Sequence, residues 1–234
     1  MTWTADLVAF AAKNLPPKAR EELWARGVSD EQISLFQIGY LNGLPSGTPE
    51  HFQEWARMGD KLKSVFVLPL TNTLGDIKGF QFRHVDRNHS GYTDYFVDRR
   101  EAVLFGLGQA APHMWATRST FLVEGAFDLF PIHRVFPSVL PTLTASPNPQ
   151  TVRVLRRLVN KVWMAYDADA AGRRGCREFE EDHGHEFEVV EVVYPNVKTA
   201  SGKPVKDPGE LWEALGDDQF IPFIRSVITD DPFR

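Results

Sequence analysis

Between Asp6 and Phe36 the apolar residues Leu7, Phe10 and Ala11, then Leu23 and Trp24, then Ile33, Leu35 and Phe36 recur at near-helical spacing. Pro16-Pro17 and Gly27 interrupt the series. This pattern predicts a small group of helices at the amino terminus. The period then changes. Val65-Phe66-Val67-Leu68 and the stretch from Ile77 to Val85 read as strands, and Asn72-Thr73-Leu74-Gly75-Asp76 between them has the composition of a hairpin turn. An antiparallel element is therefore expected after the helices, and the polar stretch from Asp86 to Asp98 is expected to be a loop.

From Thr120 onward short apolar runs alternate with helical stretches. The runs are Phe121-Leu122-Val123, residues 139–143, residues 162–166 and residues 189–193. Helices are predicted near 126–134, 148–160 and 170–182. Such alternation predicts a parallel sheet covered by helices, whose inner strands are apolar throughout. Chemistry in sheets of this kind gathers at the carboxyl ends of the strands. Residues 198–206, polar with Gly and Pro, predict a mobile loop.

Composition narrows the possible partners. The chain has 234 residues, 43% hydrophobic and 24% charged, which suits one or two ordinary globular domains. Its 26 Lys and Arg against 31 Asp and Glu leave a net charge of -5, so no overall basic surface is available for nucleic acid. A polyanion must meet a local patch. Residues 151–177 offer one, with seven Lys and Arg against two acids, whereas residues 178–191 hold seven acids and no Lys or Arg. The single cysteine, Cys176, excludes a disulfide framework and a four-cysteine zinc site within this chain, and it fits a reducing compartment. With no apolar run of the roughly 18 residues a membrane span needs and no leader-like start, a soluble cytoplasmic protein without membrane partners is expected.

The candidate chemistry lies in acids at predicted strand ends. Val123-Glu124-Gly125-Ala126-Phe127-Asp128 delivers Glu124 where a strand stops, and Gly125 allows a tight turn. Tyr166-Asp167-Ala168-Asp169-Ala170-Ala171-Gly172 ends another strand, and residues two apart in extended chain share a face. Lys206-Asp207-Pro208-Gly209-Glu210-Leu211 places further acids before a helix. Each acid also has a plain structural reading: Asp169 and Asp207 as helix N-caps, Glu124 as an exposed strand end. Taken together, carboxylates converging on one sheet edge repel one another and raise at least one pKa, a strain that a divalent cation relieves. Oxygen ligands without Cys or His suit Mg or Mn better than zinc. Metal-assisted phosphoryl transfer follows as the expected chemistry.

VEGAFD, then YDADAAG, then KDPGEL, at intervals of about 40 residues, resemble the Toprim domain of DnaG-type primases, topoisomerases and some nucleases. LPLTNTLGDIKGFQFRHV, REAVLFGLGQA and ELWARGVSDEQISLFQIGYL resemble the subdomain that precedes Toprim in bacterial and bacteriophage primases. The resemblance covers most of residues 15–215. It implies an α/β fold, a Toprim domain preceded by a smaller α+β subdomain, divided as residues 1–115, 116–215 and a helical tail at 216–234. It implies a DNA primase making short RNA primers on single-stranded DNA from nucleoside triphosphates, in the cytoplasm of a bacterium or a phage-infected host. Glu124, Asp167 and Asp169 match the catalytic acids, and Asp128 and Asp207 join them as metal ligands for Mg or Mn. Arg83 and Arg100 match basic positions that the family uses towards template or nucleotide phosphates. Arg173, Arg174 and Arg177 follow the acidic motif closely, which leaves two readings open: contacts to triphosphate or DNA phosphates, or a solvated helix face.

The family pattern carries a lysine where this chain has Asp94, before Tyr95, and an acid where it has Gly209. It also includes a zinc module that one cysteine cannot build, so a separate zinc-binding module is expected as a partner, with two alternatives open: a module left out of this sequence, or a protein that works without one. The resemblance also implies a replicative helicase as a partner. Two other readings stay open on the residues: a Toprim nuclease using the same metals, and a catalytically weak DNA-binding or helicase-associated module. Trp3, Trp24, Trp55, Trp115, Trp163 and Trp212 are expected mainly in the core, Cys176 as a buried small residue, and His183 and His185 at the surface.

Overall fold

The computed structural model describes residues 2–57, 61–89, 91–97, 102–144 and 146–229. The chain forms two compact units, Met1–Gly108 and Gln109–Arg234. The division falls inside a helix, Leu107–Thr117, near whose other end the expected boundary at residue 115 lies.

The first unit opens with α1 (Trp3–Lys13), α2 (Pro17–Ala25) and α3 (Asp30–Leu35). Pro17 starts α2, where its missing N–H is not needed, and Ser29 with Gln32 forms a reciprocal capping box on α3. Then come β1 (Gly39–Leu41), α4 (Glu50–Arg57), β2 (Val65–Thr71), β3 (Ile77–His84), β4 (Tyr92–Phe96) and β5 (Leu104–Phe105). The strands make one antiparallel sheet in the order β1-β2-β3-β4, with β5 also on β2. All of β2 is buried, as its unbroken apolar run requires. The expected hairpin turn is present: Asn72 Oδ1 accepts from the N–H of Leu74 and Asp76, and Gly75 takes a positive φ of 84°.

Two strands depart from the expectation. The stretch read as a loop contains β4, an edge strand paired with β3 from Gly79↔Phe96 to Arg83↔Tyr92. β4 is only partly buried and its polar flanks hide it, although four of its five residues, Tyr92, Thr93, Tyr95 and Phe96, favour strands; Tyr95 turns inward to meet Trp55 edge-on with ring centroids 4.9 Å apart. β1, three residues paired with β2, is too short to show a period of its own, and α1 packs closely against it. A Cβ at Gly39 would lie 2.5 Å from Ala11 Cβ, so only glycine lets the helix cross there.

The second unit begins within α5 (Leu107–Thr117) and continues with β6 (Ser119–Val123), α6 (Leu129–His133), β7 (Val139–Pro141), α7 (Pro149–Leu158) and β8 (Lys161–Met164). It ends with α8 (Ala170–His183), β9 (Glu188–Glu191), α9 (Pro208–Leu215) and α10 (Asp217–Thr229). The sheet is parallel, in the order β7-β6-β8-β9. β6, β7 and β8 are wholly buried, and Trp163 stacks on Phe121 across β6 and β8 with centroids 4.9 Å apart. β9 is the edge, which explains its exposed Glu188 and Glu191. From β6 the chain crosses to β7 on one side and then to β8 on the other. A crevice is thereby opened beyond the carboxyl ends of β6 and β8. Residues 198–206 fold back on themselves through a bridge between Lys198 and Pro204.

The tryptophans divide. Trp163 is buried and Trp3 and Trp55 pack against the first unit's core, but Trp24 and Trp115 are 46% and 65% exposed, against expectation. Trp24 gives up burial for a hydrogen bond from Nε1 to Asp30, and Trp115 lies under the Arg118 guanidinium. Cys176 is buried and His185 exposed, as expected. Among the described residues no helix is long and apolar enough to cross a membrane.

Gly39→Ala is expected to destabilise the first unit by about 1–3 kcal/mol, the usual range for overpacking, in urea denaturation. An unchanged midpoint would disprove the close crossing of α1. His133, at the end of α6, has its imidazole pushed down to about 4 by burial, with His113 adding to the effect. Its stabilisation is therefore complete above the unfolded value near 6.5 and is lost as the pH falls toward 4. Relative to His133→Asn, the wild-type chain should lose about 2 kcal/mol between pH 7 and pH 4.5, and parallel pH profiles for the two proteins would refute this.

Candidate active site

Glu124 follows β6 directly, and its backbone continues the pairing with the β7 side through the bond from Leu143 N–H to Glu124 O, 3.0 Å. Its Oε1 accepts from the backbone N–H of Asp167 at 3.2 Å. This bond ties the two central strand ends together. Burial, and then the charge of Asp167, push Glu124 above the usual carboxylate range.

Asp128 stands one turn later, at the start of α6, and accepts from Gly125 N–H at 3.0 Å. Burial followed by the charges of Asp207 and Asp167 raises its pKa strongly. Two glycines make room for it. A Cβ at Gly125 would run into Asp128 Oδ2, and one at Gly209 would lie 3.1 Å from Asp128 Oδ1 and 3.3 Å from Asp207 Oδ1. An acid at 209 would crowd a third carboxylate onto these two, which accounts physically for glycine there.

Asp167 continues from β8 with its side chain 20% exposed, and burial and then Asp207 push its pKa up against the pull of Lys206. Asp169 is turned to another task. It is the N-cap of α8, its Oδ1 accepting from Ala171 and Gly172 N–H at 2.8 and 2.9 Å, and these bonds, led by that from Gly172, hold its pKa down. Asp207 caps α9 through Oδ1, which accepts from Glu210 N–H at 2.7 Å. The capping readings of Asp169 and Asp207 are thus both realised. Gly172 lets α8 begin so close to the strand ends, since a Cβ there would sit 2.7 Å from Glu124 Oε1 and collide with the Asp167 carbonyl.

Lys206 is the residue that sequence reasoning missed. Its Nζ lies 3.5 Å from Asp167 Oδ2 and 3.4 Å from Asp207 Oδ2. Burial works against its charge, but Asp207 and Asp167 hold the ammonium above its ordinary range. A lysine directly before a candidate capping acid was the available signal. Tyr194 was also missed: its buried hydroxyl has no hydrogen-bond partner among the described residues. It lines, with Asp167, Arg173 and Cys176, a cavity of about 350 Å³.

The basic candidates are scattered. The Arg173 guanidinium donates to the Ala168 carbonyl at 2.6 Å, bracing the loop that carries Asp167 and Asp169. Arg174 and Arg177 are exposed on α8, Arg174 within 3.7 Å of Glu178. Arg83 is in the first unit, on β3, 5.5 Å over the Tyr92 ring. Arg100 lies outside the described residues. Asp94, on β4, accepts from Gln81 Nε2 at 3.1 Å.

Among the described residues no three His, Cys, Asp or Glu side chains are arranged to hold a metal ion as they stand. The donor set nevertheless fits a hard divalent cation. It is all oxygen, three of its carboxyls are raised by crowding and burial, and a side-chain cation already bridges two of the acids. Mg needs only one or two protein carboxylates, its other ligands being water and substrate phosphate.

Residues 121–207 match the family model described as Toprim-like. The DNA primase of Thermotoga maritima is 27% identical over 89% of this chain and 40% of its own length. The chain spans about 40% of the length of the curated relatives it matches. The zinc-binding and RNA polymerase domains of Aquifex aeolicus primase superpose with a TM-score of 0.74 at 22% identity, covering 95% of this chain and 59% of that one. A DnaG primase catalytic domain bound to single-stranded DNA gives the same TM-score and identity, covering 95% and 77%. With its amino-terminal α+β unit followed in sequence by a Toprim-like domain, the chain shares the fold of DnaG primase catalytic cores.

Proposed function

We propose that this chain carries the nucleotidyl-transfer centre of a DNA primase, joining ribonucleoside triphosphates into short RNA on single-stranded DNA. The observation that carries the reading is the set of crowded carboxylates, Glu124, Asp128, Asp167 and Asp207, at the carboxyl ends of β6 and β8 in a Toprim-like sheet. Relatives named as DNA primases, and a similar domain bound to single-stranded DNA, support the same reading.

In this reaction the 3′-hydroxyl oxygen of one nucleotide bonds to the α-phosphorus of the next, the α–β anhydride bond breaks, and pyrophosphate leaves. Glu124, with its raised pKa and its orientation fixed by the Asp167 N–H, is suited to take the hydroxyl proton. Asp167, Asp169 and Asp207 would hold Mg or Mn, with Asp128 behind them. When bound, such a cation supplies charge neutralisation and alignment of the phosphates. Arg173 and Arg177 on α8, with Arg174, would meet phosphates of template or nucleotide, and Arg83 and Arg100 would do so from the first unit. Phosphate contacts position a strand without reading it. Start-site choice is accordingly assigned to a zinc-bearing module, and delivery to the fork to a replicative helicase.

The test is incorporation of labelled ribonucleotides on a single-stranded template with Mg or Mn. Glu124→Gln should lower turnover by roughly 10²- to 10⁴-fold, the usual weight of a general base. Asp167→Asn combined with Asp169→Asn should abolish growth of the product while the circular dichroism spectrum is kept. Product growth by the folded double variant would sink the metal assignment, and cutting of the template without growth would favour a nuclease instead. Neutralising Arg173 and Arg177 should flatten the salt dependence of single-strand binding, the slope falling by about 0.7 for each phosphate that is no longer neutralised. An unchanged slope would leave Arg177 as ordinary surface and Arg173 as a brace of the loop alone.

A further inference from the structure

We infer that Lys206 is a built-in counter-ion of the carboxylate site, which an incoming divalent cation must displace. The inference rests on the proposal that these acids bind Mg or Mn, and it adds a residue and a competition that the proposal does not contain. Lys206 Nζ stands between Asp167 Oδ2 and Asp207 Oδ2, at 3.5 and 3.4 Å. Asp207 Oδ1 is occupied by the Glu210 N–H, which leaves Oδ2 as the oxygen that a cation can use. A metal taking Asp207 Oδ2 together with Asp167 would come into the space that the lysine fills, and an ammonium and a divalent cation cannot share that space without strong repulsion.

The position of the lysine is set by the backbone and not by its flexible side chain. Its carbonyl accepts from Ala168 N–H at 2.6 Å, and its own N–H donates to Glu210 Oε2 at 3.1 Å. The residue is thereby pinned to the Asp167–Asp169 loop on one side and to the first turn of α9 on the other. The side chain itself is 52% exposed. The ammonium can therefore swing into water while its Cα stays fixed, so displacement requires one rotamer change and no unfolding. Without metal, Lys206 quiets the repulsion between Asp167 and Asp207. With metal, its released charge stays beside the site, where it can meet the phosphates that arrive with the cation.

The experiment measures Mn²⁺ binding directly, by electron paramagnetic resonance of the free ion, on the whole chain without nucleotide. Lys206→Met and Lys206→Gln should each bind Mn²⁺ more tightly than wild type, by roughly fivefold, as expected for removing two half-exposed ion pairs that compete with the metal. Lys206→Arg should bind like wild type. Metal-free Lys206→Met should melt at a lower temperature than wild type, and Mn²⁺ should raise its Tm by more. Equal or weaker Mn²⁺ binding by both neutral variants, with weakened binding by Asp167→Asn, would overturn the counter-ion role while leaving the metal site in place. Binding by Asp167→Asn as tight as wild type would instead remove the metal reading on which the inference rests.

Discussion

The second unit is organised around carboxylates whose charged forms are opposed by burial and by one another. Glu124, Asp128 and Asp167 all have raised pKa values for the same two reasons, burial and neighbouring negative charge. The fold does not avoid this strain but distributes it. Backbone N–H groups from Asp167, Gly125 and Glu210 each hold one oxygen of a different acid, and Lys206 neutralises the face between two of them. Placing such a group at the carboxyl ends of parallel strands is what the topology permits, because there the loops are free of the ladder and two helices begin nearby.

That crowding accounts for glycines that otherwise look incidental. Gly172 lets α8 start against Glu124 and the Asp167 backbone, and Gly125 and Gly209 leave space around Asp128. At Gly125 and Gly172 a Cβ would strike the site's own atoms, and at Gly209 it would press on two carboxylates, so the constraint is steric and electrostatic together and has little to do with loop flexibility. The apolar layers beneath, Phe121 on Trp163 and the buried β7, fix the strand ends rigidly enough for such close approaches to persist.

The parallel sheet is legible in the sequence because three of its strands are buried on both faces and show it as continuous apolar runs. The acids are legible because they follow such runs or stand just before a helix. β4 is not, since an edge strand is held by backbone pairing to β3 and its side chains are mostly half-exposed. β1 is not, because three residues are too few to show a period, and the crossing of α1 at Ala11 demands a glycine rather than a strand-forming residue at one of them. Lys206 escapes for a different reason. Its role depends on an ion pair between residues 39 apart in sequence, and a lysine directly before a capping acid is only a faint sign of it. The exposure of Trp115 and Trp24 likewise follows from local partners, Arg118 and Asp30, that composition does not weigh.

The capping and functional readings of the acids look like rivals in the sequence, yet the atoms make them compatible. Glu124 gives Oε1 to the Asp167 N–H, Asp128 gives Oδ2 to Gly125, Asp169 gives Oδ1 to α8, and Asp207 gives Oδ1 to α9. In each of these bonds a single oxygen is used. A carboxylate has two, with about four lone-pair positions, so an acid can terminate a helix with one oxygen and present the other to a cation or a lysine. Asp207 does both at once, Oδ1 on Glu210 N–H and Oδ2 toward Lys206. Anchoring one oxygen also removes most of the freedom of the other. The structural role therefore orients the oxygen on which the proposed chemistry depends, and an alanine or serine cap, which would end the helix with no atom or a single one, could not serve both.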